Sequence, residues 1–387
     1  MTSFPADLPA RTKWPLAILF GVIGGFDVGI ALLVFLWPTT SATARNLPVS
    51  VVGSEAAVAD LKDALAAASP GLLRLVAAED RDAAVAQIES RETAGAVILT
   101  AAPEVLTAPA SSLASVSILA SAAGYLEVER SAGTEAAPEQ GTTEEGITQQ
   151  GTTDQVMLDQ GTPGQAMLDR GTPAQSAPAV TVTEVVPLSE TDPYGSGLGG
   201  LTLPRLLGGV LGGLVVSLFV AGVIRRLAAL LAFGVVAGPV LACVTQAGMG
   251  ILQGDFLLNA AALSLSLTAT ASLIAGCSAI LGRPGAAFAT MSSIFLAVPL
   301  SAATAPWQFI AEPWGAIGQF MVPGAANTLL RSLSYFPNAG TTPQWLIIAG
   351  WLVIGAALGV IGHYRCAAQV RVPAVTLESR VKDPALV

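Results

Sequence analysis

From Trp14 to Trp37 the chain runs for 24 residues with a single charged side chain, Asp27. About 20 apolar residues suffice to cross the roughly 30 Å of bilayer hydrocarbon as a helix. Only a helix or a closed barrel satisfies its backbone hydrogen bonds there. Five more such runs come late, at about 206–224, 227–249, 256–281, 286–303 and 344–364. The pattern predicts a polytopic α-helical membrane protein of six transmembrane helices, one followed by five, with a large segment inserted between the first and second.

Composition agrees. Charged residues are 12% of the 387, against about 25% in soluble domains, and mean hydropathy is +0.64. There are three lysines (Lys13, Lys62, Lys382), one histidine (His363), and no Gly-Lys-Ser/Thr. These counts exclude a P-loop and catalytic designs built on several histidines. No basic patch of the kind that binds nucleic acid is present.

The charge divides the chain in two. Residues 38–203 hold 21 Asp/Glu against 7 Lys/Arg, and the remainder holds 6 against 11. Lys and Arg near membrane helices mark the cytoplasmic side. Arg11 and Lys13, Arg225 and Arg226, Arg283, and then Arg365, Arg371, Arg380 and Lys382 all fall on one side, while Arg331 alone occupies the shorter loops of the other. The expected organisation follows in chain order. Residues 1–13 form a cytoplasmic N-terminus and 14–37 the first transmembrane helix. Residues 38–203 form an acidic extracytoplasmic domain, 204–364 a five-helix membrane domain, and 365–387 a cytoplasmic tail. The location is the plasma (inner) membrane, with the lipid bilayer as partner. Ala42-Thr43-Ala44 imitates a signal-peptidase site, but the preceding apolar run exceeds the 7–15 residues of a signal-peptide core, so an uncleaved anchor is expected.

Within 38–203, strand-like runs (Val49–Gly53, Leu72–Val76, Ala96–Leu99, Glu104–Thr107) alternate with helix-like ones (Glu55–Ala68, Asp80–Glu89, and a stretch through Leu113, Val116, Leu119 and Leu126). Alternation of this kind predicts a small α/β module. A late strand at 180–187 has the composition to rejoin its sheet. Between them, at about 131–178, a ten-residue repeat begins at Gly141, Gly151, Gly161 and Gly171. Its Gly, Thr, Pro, Gln and acids bury too little apolar surface to offset ordering, which predicts a disordered insertion. Cys243 and Cys277 lie in spans and Cys366 just beyond one, so neither a disulfide framework nor a metal spacing is expected.

Three polar residues at membrane depth are candidate intramembrane sites. Asp27 shares a helical stripe with Ala17, Gly21, Gly24 and Ala31, and its carboxylate costs about 2.5–3.5 kcal/mol at mid-span. It serves either as a proton or cation site or as a buried acid bonded to hydroxyls such as Ser264, Ser266 or Thr268. Gln246 and Asn259 flank a tight turn and are expected to bond each other or the turn. The pairs Gly208/Gly212, Gly234/Gly238 and Gly355/Gly359 predict close helix packing, and Pro239 and Pro299 predict kinks. Residues 305–342 are too polar and broken to span. They read as an outer re-entrant segment, with Trp307, Glu312, Trp314 and Arg331 as a candidate outer gate or cap. No Ser–His or paired-Asp motif lies at membrane depth, so no enzyme and no cofactor is expected.

The stretches LPVSVVGSE (47–55), RETAGAVIL (91–99), VTVTEVVPLSETDPYGSGLG (180–199) and EPWGAIGQFMVPGAANTLLRSLSYF (312–336) resemble actinobacterial YhgE/Pip-like membrane proteins, a group related to ABC-2 type exporter permeases. The resemblance implies an export or transport component for an apolar or amphipathic substrate, a separate ABC ATPase subunit, and a homodimer. The ATPase of such permeases docks on a cytoplasmic helix between spans two and three, and here that connection shrinks to about Arg225-Arg226. The competing reading is a non-transporting envelope scaffold or surface receptor presenting the outer domain.

Overall fold

The computed structural model describes residues 43–135 and 180–369. The first expected span with Asp27, most of the repeat insertion and the end of the C-terminal tail lie outside the described residues.

Residues 47–184 supply a five-stranded sheet in the order β2-β1-β3-β4-β5. The strands are β1 (Leu47–Gly53), β2 (Leu73–Ala77), β3 (Gly95–Leu99), β4 (Glu104–Thr107) and β5 (Thr181–Glu184). β1 pairs in parallel with β2 and β3, β3 is antiparallel to β4, and β4 is parallel to β5. The parallel pairs require crossovers, and the helices supply them: α1 (Glu55–Ala68), α2 (Arg81–Glu89) and α3 (Leu113–Glu135). Ser54 and Asp80 cap α1 and α2 by accepting the N–H groups of Ala57 and Ala83 at 3.3 and 2.7 Å, which satisfies donors a helix start leaves open. α3 continues to Glu135, past the expected start of the insertion at 131.

Successive strand residues face opposite sides of the sheet, and each side builds its own core. Val49, Val51, Val97 and Val105 pack with Leu61 and Leu119, and Phe309 joins them from far along the chain. On the other side Val52, Ala96, Ile98 and Leu106 pack with Ala84 and Ile88, joined by Phe336. The segment between the late helices therefore plugs both sheet cores.

Among the described residues, four helical stretches are long and apolar enough to cross a membrane: Ser196–Phe219, Val223–Gly248, Phe256–Leu281 and Thr342–Arg365. The first contains the short α4 (Ser196–Gly200) and α5 (Thr202–Phe219), the second α6 (Val223–Ala242), the third α7 (Phe256–Leu281), and the last belongs to α11 (Thr342–Gln369). α7 is central. Its most apolar window is 67% buried, against 44%, 22% and 17% for the others, and α5, α6 and α11 all pack on it. Its hydroxyls turn back onto carbonyls: Thr268 and Thr270 donate to Ser264 O and Ser266 O at 2.7 and 3.1 Å, and Ser272 reaches Leu352 O of α11 at 3.1 Å. With its hydroxyls so occupied, α7 admits close neighbours.

The stretch expected as a fifth span, 286–303, is not one continuous helix. α8 (Arg283–Met291) widens into a π-helical turn at Ser292–Ala297 and ends in a 3₁₀ turn at Pro299–Ser301. Pro299 has no N–H to continue a helical ladder, and Ala302 turns left-handed, φ 51°. Residues 283–297 rise about 22 Å at 1.5 Å each, and the turn through Ser301 carries the run on at about 2 Å per residue, from Gly285 packed on Cys277 at the end of α7 to Ala303 beside Gly199. The connection after α5 falls earlier in the chain than expected. Arg225 and Arg226 fall inside α6, which leaves Val220–Gly222 as the link. Arg226 donates from Nε to Val220 O at 2.7 Å and from Nη2 to Ser217 O at 3.1 Å, placing a cation on the open carbonyls ending α5. Pro239 sits within α6, and a π-helical turn, Cys243–Gly248, follows it.

Candidate functional site

After the broken segment, the chain forms a 3₁₀ turn at Trp307–Phe309, α9 (Trp314–Gln319) and α10 (Val322–Tyr335). Ala325, Ala326, Leu329 and Leu330 are buried in the helical core. That orientation turns Asn327, Thr328, Arg331 and Ser332, spaced three and four apart, onto a shared face. They line a cavity of about 260 Å³ between α10 and the sheet, together with Arg91, Gln319 and Trp307.

Arg91 follows α2 in a left-handed conformation, φ 62°. Glycine is the usual residue at such a helix end, and a side chain there costs about 1–2 kcal/mol. Here the side chain has a task. Its Nη1 donates to Thr328 O at 3.0 Å and to Ser332 Oγ at 2.7 Å, and its guanidinium lies 5.2 Å from the centroid of Phe336. Arg331 answers from α10: Nη1 donates to the Ser111 carbonyl and Nη2 to Ala303 O at 3.2 Å. Two arginines thus stitch sheet and helices together across one cavity.

A third arginine stands behind them. Arg205 of α5 is 3% exposed, and its Nη2 donates to Asn327 Oδ1 at 2.8 Å and Pro323 O at 3.2 Å. Thr202 Oγ1 lies 3.0 Å from the same Asn327 oxygen. Arginine only donates, so the Asn327 amide turns Oδ1 to Arg205 and Thr202 and carries Nδ2 on its other side. Asn327 Nδ2 and Arg205 Nη1 are buried with no partner among the described residues. Gln344 Oε1 is also unpaired, and turning that amide presents a donor in its place.

No aspartate or glutamate appears among the described residues lining the cavity. The described ion pair, Arg81 with Glu104 at 2.8 Å, lies on the sheet instead. Burial, with the Arg331 charge second, pushes Arg91 down to about 9, and burial lowers Arg331 as well. A guanidinium holds its proton in proteins, so the physical relief for such a pair is a negative partner. The site is rich in donors and in positive charge.

A second cavity of about 270 Å³ opens at the start of the same helix. Met321, Val322 and Pro323 line it with Leu206, Phe288, Leu296 and Trp351, so the broken segment after α8 supplies part of an apolar wall. Pro323 and Asn327 are separated by about 6 Å of helix rise.

Of the expected outer-gate residues, Trp307 and Arg331 line the polar cavity, while Glu312 is exposed and neither it nor Trp314 belongs to the lining. Asn259 Nδ2 donates to Gln246 Oε1 at 3.1 Å and Gln253 O at 2.7 Å, and Gln246 Nε2 to Gly254 O at 2.8 Å. These two residues tie the α6–α7 turn and do not meet the cavity. Asp27 lies outside the described residues. Sequence reasoning missed Arg91, Arg205 and Asn327. Arg91 was one of seven bases in an acidic segment, and Arg205 sat at a span edge. Asn327 carried a usable signal, the polar spacing 327, 328, 331, 332 in ANTLLRSLS. Compared with known proteins, the chain matches no protein-family model, no curated protein and no solved structure.

Proposed function

We propose that this chain is a multi-pass plasma-membrane protein with a permease-like role, an export or transport component for an amphipathic substrate. The observation that carries the reading is the pairing, along α10, of an apolar cavity beside Pro323 with a donor-rich cavity beside Asn327 and Arg331. An amphiphile has those two chemistries in one molecule. The exposed apolar side chains of the spanning helices, such as Leu211, Leu218, Leu231, Val235, Leu346 and Val353, suit lipid contact and would associate in water. The resemblance to YhgE/Pip-like proteins and ABC-2 permeases supports the same role, with both termini cytoplasmic, the sheet module outside and a homodimer as the working unit. An ATP-driven version needs a separate ATPase chain, and the three-residue link after α5 leaves no docking helix there.

The test is passage of a tail-labelled amphiphile across vesicles holding the full chain, alone and with proteins co-purified from native membranes. Transport predicts movement at least ten times faster than in protein-free vesicles, reduced when Ser292→Trp fills the apolar cavity. Rates equal to protein-free vesicles under both conditions would sink the permease role and leave a scaffold presenting the sheet module.

A further inference from the structure

We propose that Arg91, Arg331 and the Asn327 amide form a binding site for a phosphate group, seated in the cavity between the sheet and α10. The inference deepens the permease-like reading and rests on it only for the ligand's apolar tail; the phosphate site itself is defined by the side chains around the cavity.

Donor supply is the first ground. Among the described residues, Arg91 spends only Nη1, keeping Nε and Nη2, and Arg331 spends Nη1 and Nη2 on one carbonyl each. A guanidinium offers five N–H donors, so each arginine retains about three. Asn327 adds a buried, unpartnered N–H₂ whose direction is set by Arg205. Charge is the second ground. Buried cations call for an opposite charge; Arg91 and Arg331 line the cavity with no acid among its described lining residues, and Arg205 stands behind Asn327.

Geometry selects phosphate over carboxylate. The donors approach from different elements: Arg91 from the sheet module, Arg331 and Asn327 from adjacent turns of α10. A planar carboxylate satisfies one guanidinium fork, whereas a tetrahedral phosphate offers three strong acceptor oxygens and up to about two negative charges, matching two cations in separate directions. The cavity of about 260 Å³ equals roughly nine waters at about 30 Å³ each, room for a phosphate and its ester oxygen. Thr328 does not compete for the ligand, since its Oγ1 donates to Gln319 Oε1 at 2.6 Å.

The shared chemistry is a tetrahedral phosphate, either the monoester of a lipid headgroup or free phosphate, and binding to the full chain in uncharged detergent separates them. Three probes are titrated calorimetrically: dihexanoylphosphatidic acid, inorganic phosphate, and dihexanoylglycerol, which has the tails alone. Saturable binding of a phosphate-bearing probe, absent for dihexanoylglycerol and weakened by added salt, is expected. Phosphatidic acid at least tenfold tighter than inorganic phosphate assigns the site to a headgroup; similar affinities assign it to free phosphate. Arg91→Gln is expected to weaken binding at least tenfold. Asn327→Asp supplies a built-in counter-charge, so it is expected to abolish binding while raising the melting temperature of the unliganded protein, which guards against loss through misfolding. No saturable phosphate binding to the wild-type chain, or unchanged affinity in folded Asn327→Asp, would overturn the proposal. Phosphate binding without vesicle transport sinks the permease reading and leaves this site standing; transport without phosphate binding does the reverse.

Discussion

Charged side chains in this protein divide by the company they keep. On the sheet, Arg81 presents Nε and Nη2 to Glu104 at 2.8 and 3.1 Å, and the Arg81 hydrogen bond holds the Glu104 carboxyl below its ordinary range despite partial burial. A depressed carboxylate adds stability above its unfolded value, near 4.3, and loses it as pH falls through the folded value. Glu104→Gln is therefore expected to lower the melting temperature slightly at pH 7, with the deficit shrinking as pH falls toward about 3. Thermal melts at the two pH values check it, and an equal deficit at both would show that the ion pair contributes nothing. Around α10 the arginines have carbonyls, amides and a ring in place of acids, and Arg91 holds a backbone conformation that glycine adopts more cheaply. Arg331 was legible in the sequence as the lone base of its loops. Arg91 was not, because its partners Thr328 and Ser332 stand 237 and 241 residues away.

At the scale of elements, hydropathy found α5, α6, α7 and α11, since a run of apolar residues is a local property. It also marked 286–303, which winds on from α8 to Ser301 but not as one α-helix, because the π-helical turn and Pro299 interrupt the ladder. Small-residue spacing was legible as a packing signal, and its register held for Gly234/Gly238, where a Cβ would press on Thr268 and on the Ser264 backbone of α7, but not for every pair. Of the expected pair Gly208/Gly212, neither residue makes the backbone approach. A Cβ at Gly209 or Gly213 would instead press on the α7 carbonyls of Leu267 and Ala271 at 3.0 and 2.8 Å. On α11, a Cβ at Gly355 would overlap the Ser272–Leu273 backbone of α7, whereas Gly359 meets nothing within 4 Å. Gly355→Ala is expected to destabilise by about 1–3 kcal/mol through overpacking. Gly359→Ala is expected to be neutral or slightly stabilising, because alanine is the better helix former. Melting temperatures of the two variants in detergent decide it, and equal effects would mean that the α7–α11 approach is looser than described.

For the whole molecule, the decisive feature is the return of residues 302–339 to the sheet. Phe309 and Phe336 are 6% and 1% exposed and enter opposite faces, so the α/β module is not completed by residues 38–203 alone. Truncating a buried phenylalanine costs about 3–5 kcal/mol. Phe336→Ala is thus expected to speed hydrogen exchange in β1 and β3 and to expose the sheet module to protease while α7 stays protected. Uniform loss of protection, α7 included, would show that sheet and helices unfold as one unit.

By itself the sequence determined the apolar helices, the alternation that makes the small sheet, and the acidic bias of the residues between them. Each is written in neighbouring residues, as hydropathy, period or charge. Only the tertiary structure decided which helix is central, that two distant phenylalanines fill the sheet cores, and that Arg91 and Arg331 line one cavity with Asn327, which Arg205 holds from behind. Burial sums over contacts from every part of the chain, and a cavity exists only where several elements stop short of one another. Neither leaves a local mark in the order of amino acids.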